Sequence, residues 1–81
     1  MAAVTVNSVK YNVNGSMRDQ YYNITGSSAD TLTVGLFKVW MVNSEGGAVT
    51  AYTTAAGSIP GTTVITLTGT FSNTDIQVLG N

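Results

Sequence analysis

Along most of this chain apolar and polar residues alternate one by one, the period of a half-buried strand, and no stretch of useful length carries the helical period. Val4-Thr5-Val6 and Val9-Lys10-Tyr11-Asn12-Val13 both alternate, but the phase changes at Asn7-Ser8. One extra residue there, a β-bulge, restores the phase and puts Val4, Val6, Val9, Tyr11 and Val13 on one face. Asn14-Gly15 follows, a signal for a type I′ hairpin turn, which needs positive φ at both central residues. A two-residue loop at that point pairs Val13 with Ser16, Tyr11 with Arg18 and Lys10 with Asp19, the last being opposite charges across the ladder. Beyond the bulge Val6 is expected opposite Tyr22 and Val4 opposite Ile24.

The remaining strands follow from the same pattern. Residues 26–30 read as a loop, and residues 31–43 as a longer β segment interrupted by Gly35, a bulge or a close backbone approach. Within it, Leu36, Trp40 and Val42 are expected on one face and Phe37, Val39 and Met41 on the other. Both faces are apolar, which a half-exposed strand would not show. Either the domain's own loops cover the second face or a neighbouring subunit does. Ser44-Glu45-Gly46-Gly47 turns the chain, and closure at Asn43 and Ala48 sets Val42 opposite Val49 and Val39 opposite Tyr52. Phe37, Val39, Met41 and Tyr52 are therefore the candidate interface residues. Residues 55–61, with the single proline, form a loop. Residues 62–68 alternate again, with Ile65 and Leu67 set against Val64, Thr66 and Thr68. Residues 71–74 turn into a last strand opened by Asp75. Roughly six short strands at regular spacing predict an all-β fold, a small single-domain antiparallel sandwich or barrel over residues 1–81.

Length makes such a fold hard to stabilise alone. A chain of 81 residues buries only about 60–65% of its unfolded surface, and small domains compensate with disulfides, a metal or a partner. The sequence has no cysteine and no histidine, which removes disulfides, thiolate sites and the commonest zinc ligand. Association with other copies is the remaining route. Only 9% of residues are charged, with a net charge of −1, against about 25% in an average soluble protein. A neutral Thr/Ser/Asn surface loses few hydration shells when another protein covers it. Three basic residues, Lys10, Arg18 and Lys38, cannot build a phosphate-neutralising patch, so no nucleic-acid partner is expected. No apolar run approaches a membrane span. The stretch Met1-Ala2-Ala3-Val4-Thr5 lacks the basic and apolar regions of a signal peptide, which predicts synthesis in a cytoplasm.

Catalytic motifs are absent. Without histidine or cysteine no nucleophile–base pair of the usual kind can form, and Lys10 and Lys38 have no local serine motif. Asp19, Asp30, Glu45 and Asp75 are scattered, and Asp30 and Asp75 read as turn or strand-start residues. No calcium loop or phosphate loop occurs, and no cofactor is expected. Asn14-Gly15-Ser16 and Asn23-Ile24-Thr25 match the glycosylation sequon only by pattern. Thr31-Leu32-Thr33 and residues 66–70 alternate threonine without the regular repeat of an ice-binding solenoid. Tyr11, Tyr21, Tyr22, Trp40 and Tyr52 could build a stacking platform for sugars, or fill the core and a subunit interface.

The opening residues 4–13, with Arg18 after the turn, Asn23-Ile24-Thr25, Asp30-Thr31, Gly35-Leu36 and an alternating last strand followed by Gly80, resemble small β-rich virion structural proteins of tailed bacteriophages and prophages. Residues 38–56 match no motif of that group. The resemblance implies a non-enzymatic virion component, first a capsid decoration or cement protein that binds and stabilises the assembled head shell. Such proteins often form trimers, so the implied partners are further copies of the chain and a major capsid protein. The implied location is the virion, after synthesis in the bacterial cytoplasm. A tail, baseplate or head-fibre component is the second expectation, and a carbohydrate-binding adhesion module the third. A lectin would expose several aromatics on one concave surface, whereas a cement protein would bury them between subunits.

Overall fold

The computed structural model describes residues 3–81, so Met1 and Ala2 of the N-terminal stretch, like the Asn14 side chain, lie outside the described residues. Seven strands follow one another: β1 (Thr5–Asn14), β2 (Met17–Gly26), β3 (Thr31–Val34), β4 (Val39–Ser44), β5 (Val49–Ala56), β6 (Thr63–Gly69) and β7 (Phe71–Gly80). They form two antiparallel sheets, one of four strands in the order β1-β2-β7-β4 and one of three in the order β3-β6-β5. The all-β sandwich expected from the alternation is therefore present, with seven strands rather than roughly six.

The core lies between the sheets. From the four-stranded sheet it takes Tyr22, Ile24, Val42, Ile76 and Val78, and from the three-stranded sheet Leu32, Val34, Ile65 and Leu67. Each set sits at alternate positions of its strand, as the pleat requires. Val4, Leu36 and Phe71 close the ends of this layer, all buried. Val4 does so where β1 begins: its amide donates to the Thr31 carbonyl at 2.9 Å, tying the start of the chain to β3.

Four local expectations are corrected. The first hairpin turns at Gly15-Ser16, one residue later than the Asn14-Gly15 turn, so Asn14 pairs with Met17, Val13 with Arg18, Tyr11 with Gln20 and Lys10 with Tyr21. Gly15 has φ +67 and Ser16 does not share the positive region, the pattern of a type II′ turn, in which glycine takes the first central position. Lys10 and Asp19 consequently do not face each other, and beyond the bulge Val6 meets Ile24 rather than Tyr22. The bulge itself is where the phase change put it, between Val6 and Ser8.

The segment 31–43 is two strands, not one. β3 belongs to the three-stranded sheet and β4 to the four-stranded one, and residues 35–38 carry the chain between them. β4 pairs with β7 and β5 with β6, so the expected neighbours Val42–Val49 and Val39–Tyr52 are separated into different sheets. The glycine-rich turn is a short 3-10 segment, Glu45–Gly47, that again crosses from one sheet to the other. Finally, residues 71–74 are strand rather than turn. Phe71 is buried, Asn73 has φ +46, and Asp75 lies inside β7 opposite Asn23. The change of direction comes before them, at Gly69, whose φ is +144 and where a Cβ would overlap the Ala48 carbonyl oxygen. Only glycine fits a corner that is both left-handed and this tight.

Candidate functional site

Three strands facing four leave one strand overhanging, and that strand is β1. Its pairing with β2 sets Val6 beside Ile24, Val9 beside Tyr22, Tyr11 beside Gln20 and Val13 beside Arg18. Paired residues point to the same side of a sheet, so Val6, Val9, Tyr11 and Val13 face the side on which the second sheet packs. Among the described residues Val6 and Val9 are only partly covered, and Tyr11 and Val13 stand open. Tyr11 and Val13 are both 68% exposed, while Ile24, one strand inward and past the bulge, is fully buried. The shared apolar face expected from the alternation exists, but as an open strip instead of core.

The backbone of β1 is open on the same residues. A two-residue hairpin loop is closed by a hydrogen-bonded pair, here Asn14 with Met17. Hydrogen-bonded and non-hydrogen-bonded pairs alternate along an antiparallel ladder, so Asn12, Lys10 and Ser8 also exchange bonds with β2. Val9, Tyr11 and Val13 therefore turn their N–H and C=O groups to the free edge. An apolar strip and a row of unpaired backbone groups thus coincide on three residues of one strand.

The other edges differ. β3 has four residues and its start is bridged by Ala3. β4 is bulged between Val39 and Met41, and β5 between Val49 and Ala51, with threonine and alanine filling much of the latter. A bulge, short length or a covering segment blunts a sheet edge against further pairing. β1 carries a bulge at Asn7 but runs regularly from Ser8 to Asn14.

Behind the strip, Tyr22 is buried and its phenol donates to Gln20 Oε1, also buried. Burial pushes the Tyr22 phenol up to about 12, with the Tyr11 phenol nearby adding to the rise. The pair stays neutral and sets a side-chain hydrogen bond within the largely apolar inner face.

The opposite, outward face of the four-stranded sheet carries a shallow groove of about 370 Å³ lined by Ser8, Lys10, Tyr21, Asn23 and Asp75. The Asn23 and Asp75 side chains in it are bonded to each other, and Asn23 to its neighbours as well. Asn23 Nδ2 donates to Asp75 Oδ1 at 2.9 Å and to the Asn73 carbonyl at 3.0 Å. Asn7 Nδ2 reaches Asn23 Oδ1 at 2.9 Å and Thr25 Oγ1 at 3.1 Å. Gln77 Nε2 donates to the Tyr21 hydroxyl at 3.2 Å. This ladder holds the Asn7 bulge of β1 beside the irregular pairing of β2 with β7 near Thr25, and it uses the Asn7 and Asn23 amide donors in doing so.

The four residues expected at an interface do not form one patch. Phe37, in the crossing segment, is 74% exposed and its ring rests on the Gly61 backbone. Val39 faces inward and packs against the core. Met41 pairs with Leu79 on the outward face, because the bulge at Trp40 reverses the phase between Val39 and Met41. Tyr52 pairs with Leu67 and so points inward, half-exposed, from the β5 edge. Phe37 and Val39 share a 240 Å³ depression with Thr54 and Thr63; Met41 and Tyr52 lie outside it. The five aromatics proposed as a sugar platform are likewise dispersed: Tyr22 is buried, Tyr21 faces outward, Tyr11 faces the overhang, and Trp40 and Tyr52 lie on other edges.

Among the described residues no three acidic side chains gather to hold a metal ion, and no helix is long and apolar enough to cross a membrane. Asp30 caps its own loop, accepting from the Ser27 amide at 2.9 Å. Comparison with protein-family models, with curated proteins and with solved structures gives no match to this chain.

Proposed function

We propose that this chain is a non-enzymatic structural subunit that works by associating with other protein chains through the open edge of its four-stranded sheet. The observation that carries the reading is the coincidence on β1 of exposed apolar side chains and unpaired backbone groups, at Val9, Tyr11 and Val13. A row of free edge groups beside an apolar strip is a template for pairing with another chain. The low charge supports it, since little hydration must be displaced when such a surface is covered.

The sequence resemblance makes the finer proposal a virion role, with decoration of the head shell first and a tail, baseplate or head-fibre position second. A subunit that binds only the assembled lattice stabilises it by mass action. The dispersed aromatics and the mutually bonded Asn23 and Asp75 of the outward groove speak against the carbohydrate-binding alternative. Light scattering after size exclusion tests the association: a mass above the 8.4 kDa monomer at high concentration is expected, and a monomer throughout that also fails to bind particles would overturn it. Cryo-electron microscopy of particles carrying the chain tests the finer role, with density on the shell expected and density confined to the tail excluding decoration.

A further inference from the structure

We infer that β1 pairs with β1 of a second copy, antiparallel about a two-fold axis through Tyr11. The inference rests on the association reading above and adds the occupant, the symmetry and the register. A strand can join an edge only by placing its own outward-turned residues opposite those of that edge. On β1 these are Val9, Tyr11 and Val13, the strip that is also apolar. A second copy offers the same three, so both requirements are met by one surface, as a self-complementary two-fold interface demands.

Charge and the bulge select the register. An axis through Lys10 would set Lys10 opposite Lys10 of the second copy, two like charges directly across a ladder. An axis through Val9 would bring Tyr11 against the bulged Asn7 of the other chain, where the strand is irregular. An axis through Asn12 would set Val9 opposite Gly15 in the turn, which has no side chain to meet it; the axis through Tyr11 avoids all three. It pairs Val9 with Val13 of the second copy, Tyr11 with Tyr11, and Lys10 with the neutral Asn12. Aromatic and β-branched cross-strand pairs of this kind stabilise sheets. The result is a continuous eight-stranded sheet, with both three-stranded sheets on the same side and the two apolar strips adjoining between them. This two-fold arrangement differs from the trimer that the resemblance implies.

The sequence has no cysteine, so single cysteines report the register. Across a hydrogen-bonded antiparallel pair the Cα atoms lie about 5.5 Å apart, within disulfide reach, whereas residues two positions out of register lie beyond about 7 Å. Tyr11→Cys under mild oxidation is expected to give a covalent dimer, and Val9→Cys mixed with Val13→Cys a mixed dimer. Lys10→Cys alone, and Thr53→Cys on the exposed part of β5, should give little. Efficient cross-linking of Lys10→Cys would overturn the register. An oligomer whose mass is unchanged by Tyr11→Lys with Val13→Lys, and which Tyr11→Cys does not cross-link, would overturn the β1 interface while leaving association standing. A wild-type monomer that binds no particle would remove both. The lysine pair changes exposed positions, so its far-ultraviolet spectrum should match the unmodified chain and rule out misfolding as the cause.

Discussion

β1 and β2 are both ten residues long, lie side by side in one sheet, and turn their apolar or buried residues to the same side. On β2, Gln20, Tyr22 and Ile24 are buried; on β1, Tyr11 and Val13 stand open beside them. The difference owes nothing to strand propensity or alternation, which both strands have. It comes from where the second sheet ends. Three strands cannot roof four, and the strand left out keeps an inward face that is at most partly covered. Alternation therefore reports which face a residue is on, and only the packing partner decides whether that face is core or surface.

The largest expected effect sets the two strands against each other. Ile24→Ala removes fully buried methylene groups between the sheets and should cost about 2–5 kcal/mol of unfolding free energy. Val13→Ala, on the same face, should change the stability of the dilute protein by less than about 0.5 kcal/mol. Urea melts at low concentration check both, and similar losses would break the comparison.

Tyr22→Phe should cost about 1–3 kcal/mol, because it leaves the buried Gln20 carbonyl without its donor. The same phenol gives a pH signature. Its folded pKa is about 12 against an ordinary 10.0, so its contribution to stability is complete below about pH 10. It is lost as pH rises from there through about 12, because the unfolded chain releases the proton first. Absorbance titration should show one tyrosine of the four ionising late, and Tyr22→Phe should abolish that phase. A late phase that survives would place the buried phenol elsewhere.

An effect of similar size at most concerns the polar ladder that shapes the edge. Asn73 has φ +46, which asparagine tolerates and a β-branched residue does not. Asn73→Val should cost about 1–3 kcal/mol, and Asn73→Gly appreciably less. Equal losses would mean that the Asn73 side chain, not its backbone, holds the bulged region together.

The all-β class, the Asn7 bulge, the loop between β2 and β3 (apart from Gly26, which ends β2) and the shared face of Ile65 and Leu67 were legible because each depends on local period and turn chemistry. The register of the first hairpin was not. Asn14-Gly15 and Gly15-Ser16 are both good turns, one of type I′ and one of type II′, and a shift of one residue in the turn moves every pair by two. Residues 31–43 misled for a different reason. A strand apolar on both faces and a chain that leaves one sheet to enter another give the same run of Leu36, Phe37, Val39 and Met41. The bulge at Trp40, which turns Val39 inward and Met41 outward, has no glycine or proline to announce it. The edge surface was hidden because Val9, Tyr11 and Val13 look like core until the strands of the opposing sheet are counted.

Amide hydrogen exchange along β1 at two protein concentrations tests the central claim most directly. In the isolated domain the Val9, Tyr11 and Val13 amides face the free edge and should exchange fast, while those of Lys10 and Asn12, bonded to β2, exchange slowly. At high concentration the account predicts that Val9, Tyr11 and Val13 become protected together, with Lys10 and Asn12 little changed. Fast exchange of those three amides at every concentration, in a sample whose mass shows it to be oligomeric, would contradict it.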